Sequence, residues 1–282
     1  MNDKIKHFCS HFERFSDCYV LIGGSACALL YENEDPPFRP TRDVDVVLFA
    51  KTLSSDFEES LNRYLAENKY KYYSIHSEEK LSFRMYRFTT DRDSSAPEQI
   101  ELLSCKGELK LAPEQHIGPL KAGDAYTRFS CILMDDEYFD FLRRNTRHLQ
   151  GIPVPSRLAL VVLKIKAYLN IRQMRRAKAG ETRPRSDEMN KHRNDACLLL
   201  LDADPEDDKE VEGLTPAIIA DLHLFEEALQ EPHLWESVRQ SMISHKKGAA
   251  DMIKSITVQE MLDTIDRFFR LQQKDAGSEG PA

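Results

Sequence analysis

The chain of 282 residues holds no apolar run long enough to cross a membrane, and its first residues, MNDKIKHFCSHFERF, lack a signal-peptide core. Both absences lead us to expect a cytoplasmic protein that does not engage membranes. None of the six cysteines (9, 18, 27, 105, 131 and 197) forms a C-x-x-C pair, and most stand among apolar residues. That excludes a zinc framework or disulfide scaffold and points to reduced, core-type thiols. Cationic excess is missing too: 39 Lys and Arg against 47 Asp and Glu give a net charge of −8, which excludes a protein coated for nucleic-acid binding. There is no internal repeat and only one tryptophan, Trp235, expected in the core of a helical region. What remains is an ordinary globular composition, 41% hydrophobic and 30% charged, long enough for one large or two modest domains.

The chain's most informative segment runs from Cys18 to Ala50. CYVLI (18–22) reads as a short buried strand, Gly23-Gly24-Ser25 as a turn, and SACALLYE as a helix start. Glycines there let the backbone approach a ligand closely, and free N–H groups at a helix start favour an anion such as phosphate. DVDVVLFA then alternates as a strand does, so Asp43 and Asp45 share one face and Val44 and Val46 the other. Adjacent carboxylates repel unless a cation lies between them, and a divalent ion is the usual answer. Either half alone has an ordinary reading, a plain connector or a solvated strand edge; their order and their elements together favour a nucleotide–metal site. QIELL (99–103) offers a third carboxylate, Glu101, which alternates away from Ile100 and Leu102. Its alternative is an ordinary exposed strand position, while Asp91 and Asp93 sit in a Ser/Asp-rich loop where a turn role suffices.

Further along, Lys164 shares a helical face with Leu160, Val161, Ala167, Tyr168 and Ile171. A lysine on an apolar face either snorkels to the surface or finds a partner, and here it could be aimed at a triphosphate. Lys191 and Asp195 stand four apart on one helix face, the spacing of a surface ion pair. From Arg172 to Arg193 there are six arginines and two lysines against three acids, in a segment whose Gly180 and Pro184 indicate a loop over Gln173–Asn190. That loop is either simply solvated or a docking surface for RNA phosphates or an acidic partner.

GGSA, RPTRDVDVV and IELL, in that order, resemble the nucleotidyltransferase superfamily typified by DNA polymerase β. VPSRLALVVLKIKAYLNIR with KHRNDACLLL is similar to its AbiEii-like and MenT-like branch, the nucleotidyltransferase toxins of toxin–antitoxin systems. Glu101 stands where aspartate is commoner, and His192 where that branch's second motif often has an aspartate, so no role is carried over to His192. The resemblance implies an α+β protein with a polymerase-β-like palm, placed over 1–152; helical patterning makes 153–274 an all-α domain, and the composition of AGSEGPA indicates a disordered tail over 275–282. It implies transfer of a nucleoside monophosphate from an NTP to tRNA or another acceptor, with an antitoxin as possible partner. Two Mg²⁺ ions would be held by Asp43, Asp45 and Glu101. Gly23, Gly24, Ser25, Lys164 and Lys191 would bind nucleotide, and Asp43, Asp45, Lys164 and Asp195 would be catalytic. A small hydroxylated molecule or a protein as acceptor, or a non-catalytic palm-fold binder, is the alternative.

Overall fold

A computed structural model describes residues 3–271 apart from 50–51, 73–74, 78–79, 83–85, 106–116, 123–124, 178–183 and 209–210. The chain is α+β and forms two compact units that divide between Pro155 and Ser156. The first unit runs through α1 (Asp3–His11), β1 (Tyr19–Ile22), α2 (Gly23–Leu30), β2 (Asp43–Leu48), α3 (Ser55–Glu67), β3 (Lys71–Tyr72), β4 (Ile75–Ser77) and β5 (Lys80–Ser82). It continues with β6 (Arg87–Thr89), β7 (Gln99–Cys105), β8 (Ile117–Ala122), β9 (Ala125–Met134), α4 (Asp136–Arg144), β10 (Thr146–Leu149) and β11 (Ile152–Pro155).

Its main sheet is mixed, ordered β1-β2-β7-β6-β3. β2 and β7 are parallel, while β1 lies antiparallel to β2 and β6 antiparallel to β7. β7 divides its second edge: Gln99–Glu101 pair with β6, and Leu103–Cys105 pair with β9. Alternation sorts the faces. Tyr19 and Leu21 lie opposite Leu48 and Val46, so they share a face with Val44, all buried. The aromatics of α1 and α3 cover that face: Phe8 meets Tyr19 and Tyr64 edge-on, and Phe12 lies against Phe57. Phe57, Leu61, Tyr64 and Leu65 of α3 recur at helical spacing and are buried, which is why this segment is a helix laid on the sheet. The opposite face carries Asp43 and Asp45.

The second unit is helical among its described residues: α5 (Arg157–Ala177), α6 (Ser186–Leu201), α7 (Pro216–Leu229), α8 (Leu234–His245), α9 (Ala250–Ser255) and α10 (Val258–Phe269). Ser156 caps α5, its hydroxyl accepting from the Ala159 N–H at 3.3 Å, as expected. Thr215 caps α7, and Thr257 with Glu260 forms a capping box on α10. Tyr168 of α5 meets Phe225 of α7 edge-on, and both are buried.

Local patterning leads us to expect a capping box of Ser55 and Glu58 before a helix over Phe57–Asn68, and a strand over 83–88. It also indicates a strand with its continuation in CILMDDEYFDFL, and a boundary at Pro153 and Pro155 with Ser156 as the next helix cap. Details of these change. The cap of α3 is Ser54, which accepts from the Phe57 N–H; the helix already includes Ser55. CILMDDEYFDFL is a strand only to Met134, after which Asp136 starts α4. Pro153 and Pro155 fall inside β11, paired with β10 across a two-residue turn of Gln150 and Gly151, both at positive φ. A two-stranded ribbon tolerates these prolines because each strand has a free edge. Of the expected loop over Gln173–Asn190, residues 173–177 belong to α5 and 186–190 to α6; residues 178–183 lie outside the described residues, as do 83–85 of the expected strand 83–88 and the tail 275–282. Trp235 is half-buried, its indole N–H donating to the Ile256 carbonyl. The acidic stretch after α6 is tied down: Lys246 pairs with Asp202 at 2.6 Å, and Arg157 with buried Asp208 at 3.0 Å.

Candidate functional site

At the end of β1 the chain turns at Gly23, whose φ of +66° is ordinary for glycine and costly for other residues. A Cβ on Gly23 would lie 2.2 Å from Asp45 Oδ2, and one on Gly24 would lie 2.8 Å from Thr41 Oγ1. The glycines thus admit the protein's own side chains: the Asp45 carboxylate rests directly on the turn. Ser25 is fully buried, and its hydroxyl donates to the Ile22 carbonyl at 3.0 Å, closing the turn rather than facing outward.

Strand register assembles the carboxylates. Asp45 is the direct partner of Glu101 in the parallel β2–β7 pair, and Glu101 is the partner of Arg87 in the antiparallel β7–β6 pair. Asp43, two residues earlier, lies opposite Gln99. Residues opposed in register share a face, so one row reads Asp45–Glu101–Arg87 across three strands, spaced about 4.8 Å apart. Asp43 is exposed and Asp45 half-buried. The Arg87 Nε lies 2.5 Å from Glu101 Oε1, which also accepts from Gln99 Nε2 at 3.0 Å. Arg42 turns elsewhere, donating to Glu98 at 3.2 Å. Asp91 and Asp93 are exposed in their loop, consistent with a turn role.

Among the described residues no three His, Cys, Asp or Glu side chains converge on a point that could hold a metal ion. Mg²⁺ does not require three: it is commonly bound through one or two carboxylates with water and substrate phosphates completing the shell. Asp43 and Asp45 fit that need, as hard oxygen donors on one face beside a positive-φ turn. Glu101 is adjacent in register but already engaged by Arg87 and Gln99.

In the helical unit, the Lys164 Nζ donates to Asp195 Oδ2 at 2.7 Å, with the two residues only 3% and 5% exposed. The lysine on the apolar face of α5 therefore has its partner on α6. Lys191 lies in the exposed part of α6, so the two ends of the i, i+4 spacing occupy different environments. Arg193, also buried, donates through Nε and Nη2 to Asn194 Oδ1 and through Nη2 to Ser237 Oγ; burial lowers its pKa. Much of the basic segment is engaged locally: Arg172 pairs with Glu231, Arg175 donates to the Pro184 carbonyl, and Arg185 forks onto Asp187.

Sequence reasoning missed two residues. The signal for Arg87 was the alternation Arg87-Phe88-Thr89, which sets Arg87 on the face opposite buried Phe88. The signal for Arg193 was its spacing to Cys197 and Leu200, both buried. Cys197 is pushed up to about 12 by burial, as are Cys9 and Cys131, so these thiols are inert packing groups. None of the six cysteines forms a disulfide. Comparisons with protein-family models, curated proteins and solved structures find no match to this chain.

Proposed function

We propose that the chain is a Mg²⁺-dependent nucleotidyltransferase that moves a nucleoside monophosphate from an NTP to an acceptor, with tRNA the acceptor and a toxin–antitoxin system the setting. The observation carrying this reading is the register that sets Asp45 beside Glu101, with Asp43 on the same face and the Gly23 turn against the Asp45 carboxylate. Carboxylates gathered on a sheet face next to a strand-to-helix turn suit a cation-bound triphosphate. Adjacent Asp43 and Asp45 count against a non-catalytic palm-fold binder, which has no need of paired carboxylates. The tRNA acceptor and a neutralising antitoxin rest on the resemblance of residues 154–200 to the toxin branch.

In this reading Asp43 and Asp45 hold Mg²⁺, which when bound lowers the cost of activating the attacking hydroxyl and of releasing pyrophosphate. The first backbone N–H groups of α2 face the triphosphate, and the buried Ser25 hydroxyl supports them by closing the turn. Thr41, packed against Gly24, donates its hydroxyl to the Asp43 carbonyl at 3.4 Å and steadies the approach to β2. Lys164 and Asp195, buried and bonded to one another, serve as the ionic link between α5 and α6.

The test is transfer of label from each of the four NTPs, labelled at the α-phosphate, to total tRNA in the presence of Mg²⁺. Wild type should label RNA from one nucleotide, and Asp45→Asn should lose at least about a hundredfold in rate, as loss of a metal-holding group does. Equal labelling by both proteins would remove Asp45 from the site. Binding of Mg²⁺–NTP without labelled RNA would refute tRNA as acceptor.

A further inference from the structure

We propose that Arg87 is a positioning residue that exchanges partners during nucleotide binding: it holds Glu101 when the site is empty and turns to the triphosphate when metal and nucleotide enter. This rests on the nucleotidyltransferase reading above. Three observations carry it. Arg87 and Glu101 are direct register partners, and their side chains form the 2.5 Å ion pair at the end of the carboxylate row. The Arg87 side chain is 46% exposed against 15% for Glu101, so the arginine is the partner open to solvent and the glutamate the enclosed one. Gln99 donates to the same Glu101 oxygen, so the glutamate keeps a polar partner if the arginine leaves.

The physics favours such an exchange. Without a cation, Asp45 and Glu101 repel across neighbouring strands, and Arg87 neutralises the outer member. A cation bound at the aspartates takes over that neutralisation. A guanidinium is a strong bidentate ligand for phosphate, and solvent on the arginine side screens the single ion pair with Glu101, so a triphosphate at the turn draws Arg87 away. Arg87 therefore has opposite effects on the two ligands: it competes with a bare cation for the carboxylates and assists a cation that arrives with nucleotide.

The test uses the full chain with Arg87→Gln and Arg87→Lys, and with Arg42→Gln as a control for simple charge loss on the face away from the site. Mn²⁺ alone is titrated by paramagnetic resonance, and the α,β-methylene analogues of the four NTPs are titrated with Mn²⁺ by calorimetry. Arg87→Gln should tighten Mn²⁺ alone by about fivefold, the scale of removing one nearby positive charge. It should weaken the Mn²⁺–nucleotide complex by about tenfold or more, the scale of losing a charge-assisted contact. Arg87→Lys should recover part of the nucleotide affinity, and Arg42→Gln should shift neither ligand. In an Arg87→Gln, Glu101→Gln double variant the effect on bare Mn²⁺ should vanish while the nucleotide deficit stays. Loss of both affinities together would mean a merely structural arginine and overturn the inference. So would wild-type nucleotide binding that Arg87→Gln leaves unchanged. Wild type that binds none of the four nucleotides would instead sink the nucleotidyltransferase reading and this inference with it.

Discussion

Replacing Gly23 by alanine separates backbone strain from the contact with Asp45. At φ +66° any L side chain is strained by about 1–2 kcal/mol. The new Cβ would also lie 2.2 Å from Asp45 Oδ2, so the carboxylate must retreat by about 1.2 Å to reach ordinary contact at 3.4 Å. Gly151 supplies the control: its φ is +80°, and nothing lies within 4 Å of an added Cβ. Gly151→Ala should therefore cost only the strain, about 1–2 kcal/mol, or a few degrees in Tm for a unit of this size. Gly23→Ala should cost at least about 1 kcal/mol more, in keeping with the penalty for overpacking. In an Asp45→Ala background the excess should disappear, because the clashing oxygens are gone; this cycle reads the contact without reference to activity. A displacement of this size should also reduce transfer by about a hundredfold, whereas Gly151→Ala should leave it intact. The stability arm is read by guanidinium unfolding and the functional arm by label transfer. Equal costs at the two glycines, or an excess that survives Asp45→Ala, would refute the proposed contact.

Three further perturbations test the helices and the core. Lys164→Met or Asp195→Leu alone should destabilise the helical unit by about 3–5 kcal/mol, because each deprives a buried charge of its ion-pair partner, while the double variant should recover most of the loss in urea unfolding. Ser54→Ala should cost about 1 kcal/mol by removing the α3 cap. Ser55→Ala, inside the helix, should stay within about 0.5 kcal/mol on the same denaturation curves. His11 has its pKa lowered, first by burial and against a hydrogen bond to Ser60. The unfolded chain then takes up the proton first as pH falls through 6.5, so this contribution to stability is complete above that pH and is lost on acidification toward the lower folded value. Melting curves between pH 7.5 and 5.5 should show a smaller slope in His11→Gln than in wild type.

What local chemistry dictates could be read without coordinates. The alternation of DVDVVL and QIELLSC places Asp43, Asp45 and Glu101 on the faces opposite Val44, Val46, Ile100 and Leu102, because side chains alternate in any strand. The apolar face of α5 around Lys164 followed from helical spacing, and its cap at Ser156 from serine's preference for that position after prolines. The limits of short-range reasoning are equally specific. The basic segment after Arg172 contains Gly180 and Pro184 and so resembled one long loop, yet residues 173–177 continue α5 and residues 186–190 begin α6, where packing outweighs weak propensity. Ser54 and Ser55 are equally good caps by composition, and the helix start chose between them.

The sequence by itself determined that this is an α+β chain with two strand-borne aspartates beside a glycine turn and a lysine on an apolar helix face. Tertiary structure alone decided that Asp45 lies beside Glu101 and Glu101 beside Arg87, that Gly23 makes room for Asp45, and that the partner of Lys164 is Asp195 rather than solvent. The reason is range. Alternation and helical period act over a few residues, whereas strand order, register and helix pairing join positions tens of residues apart, and no local pattern specifies which of them will meet.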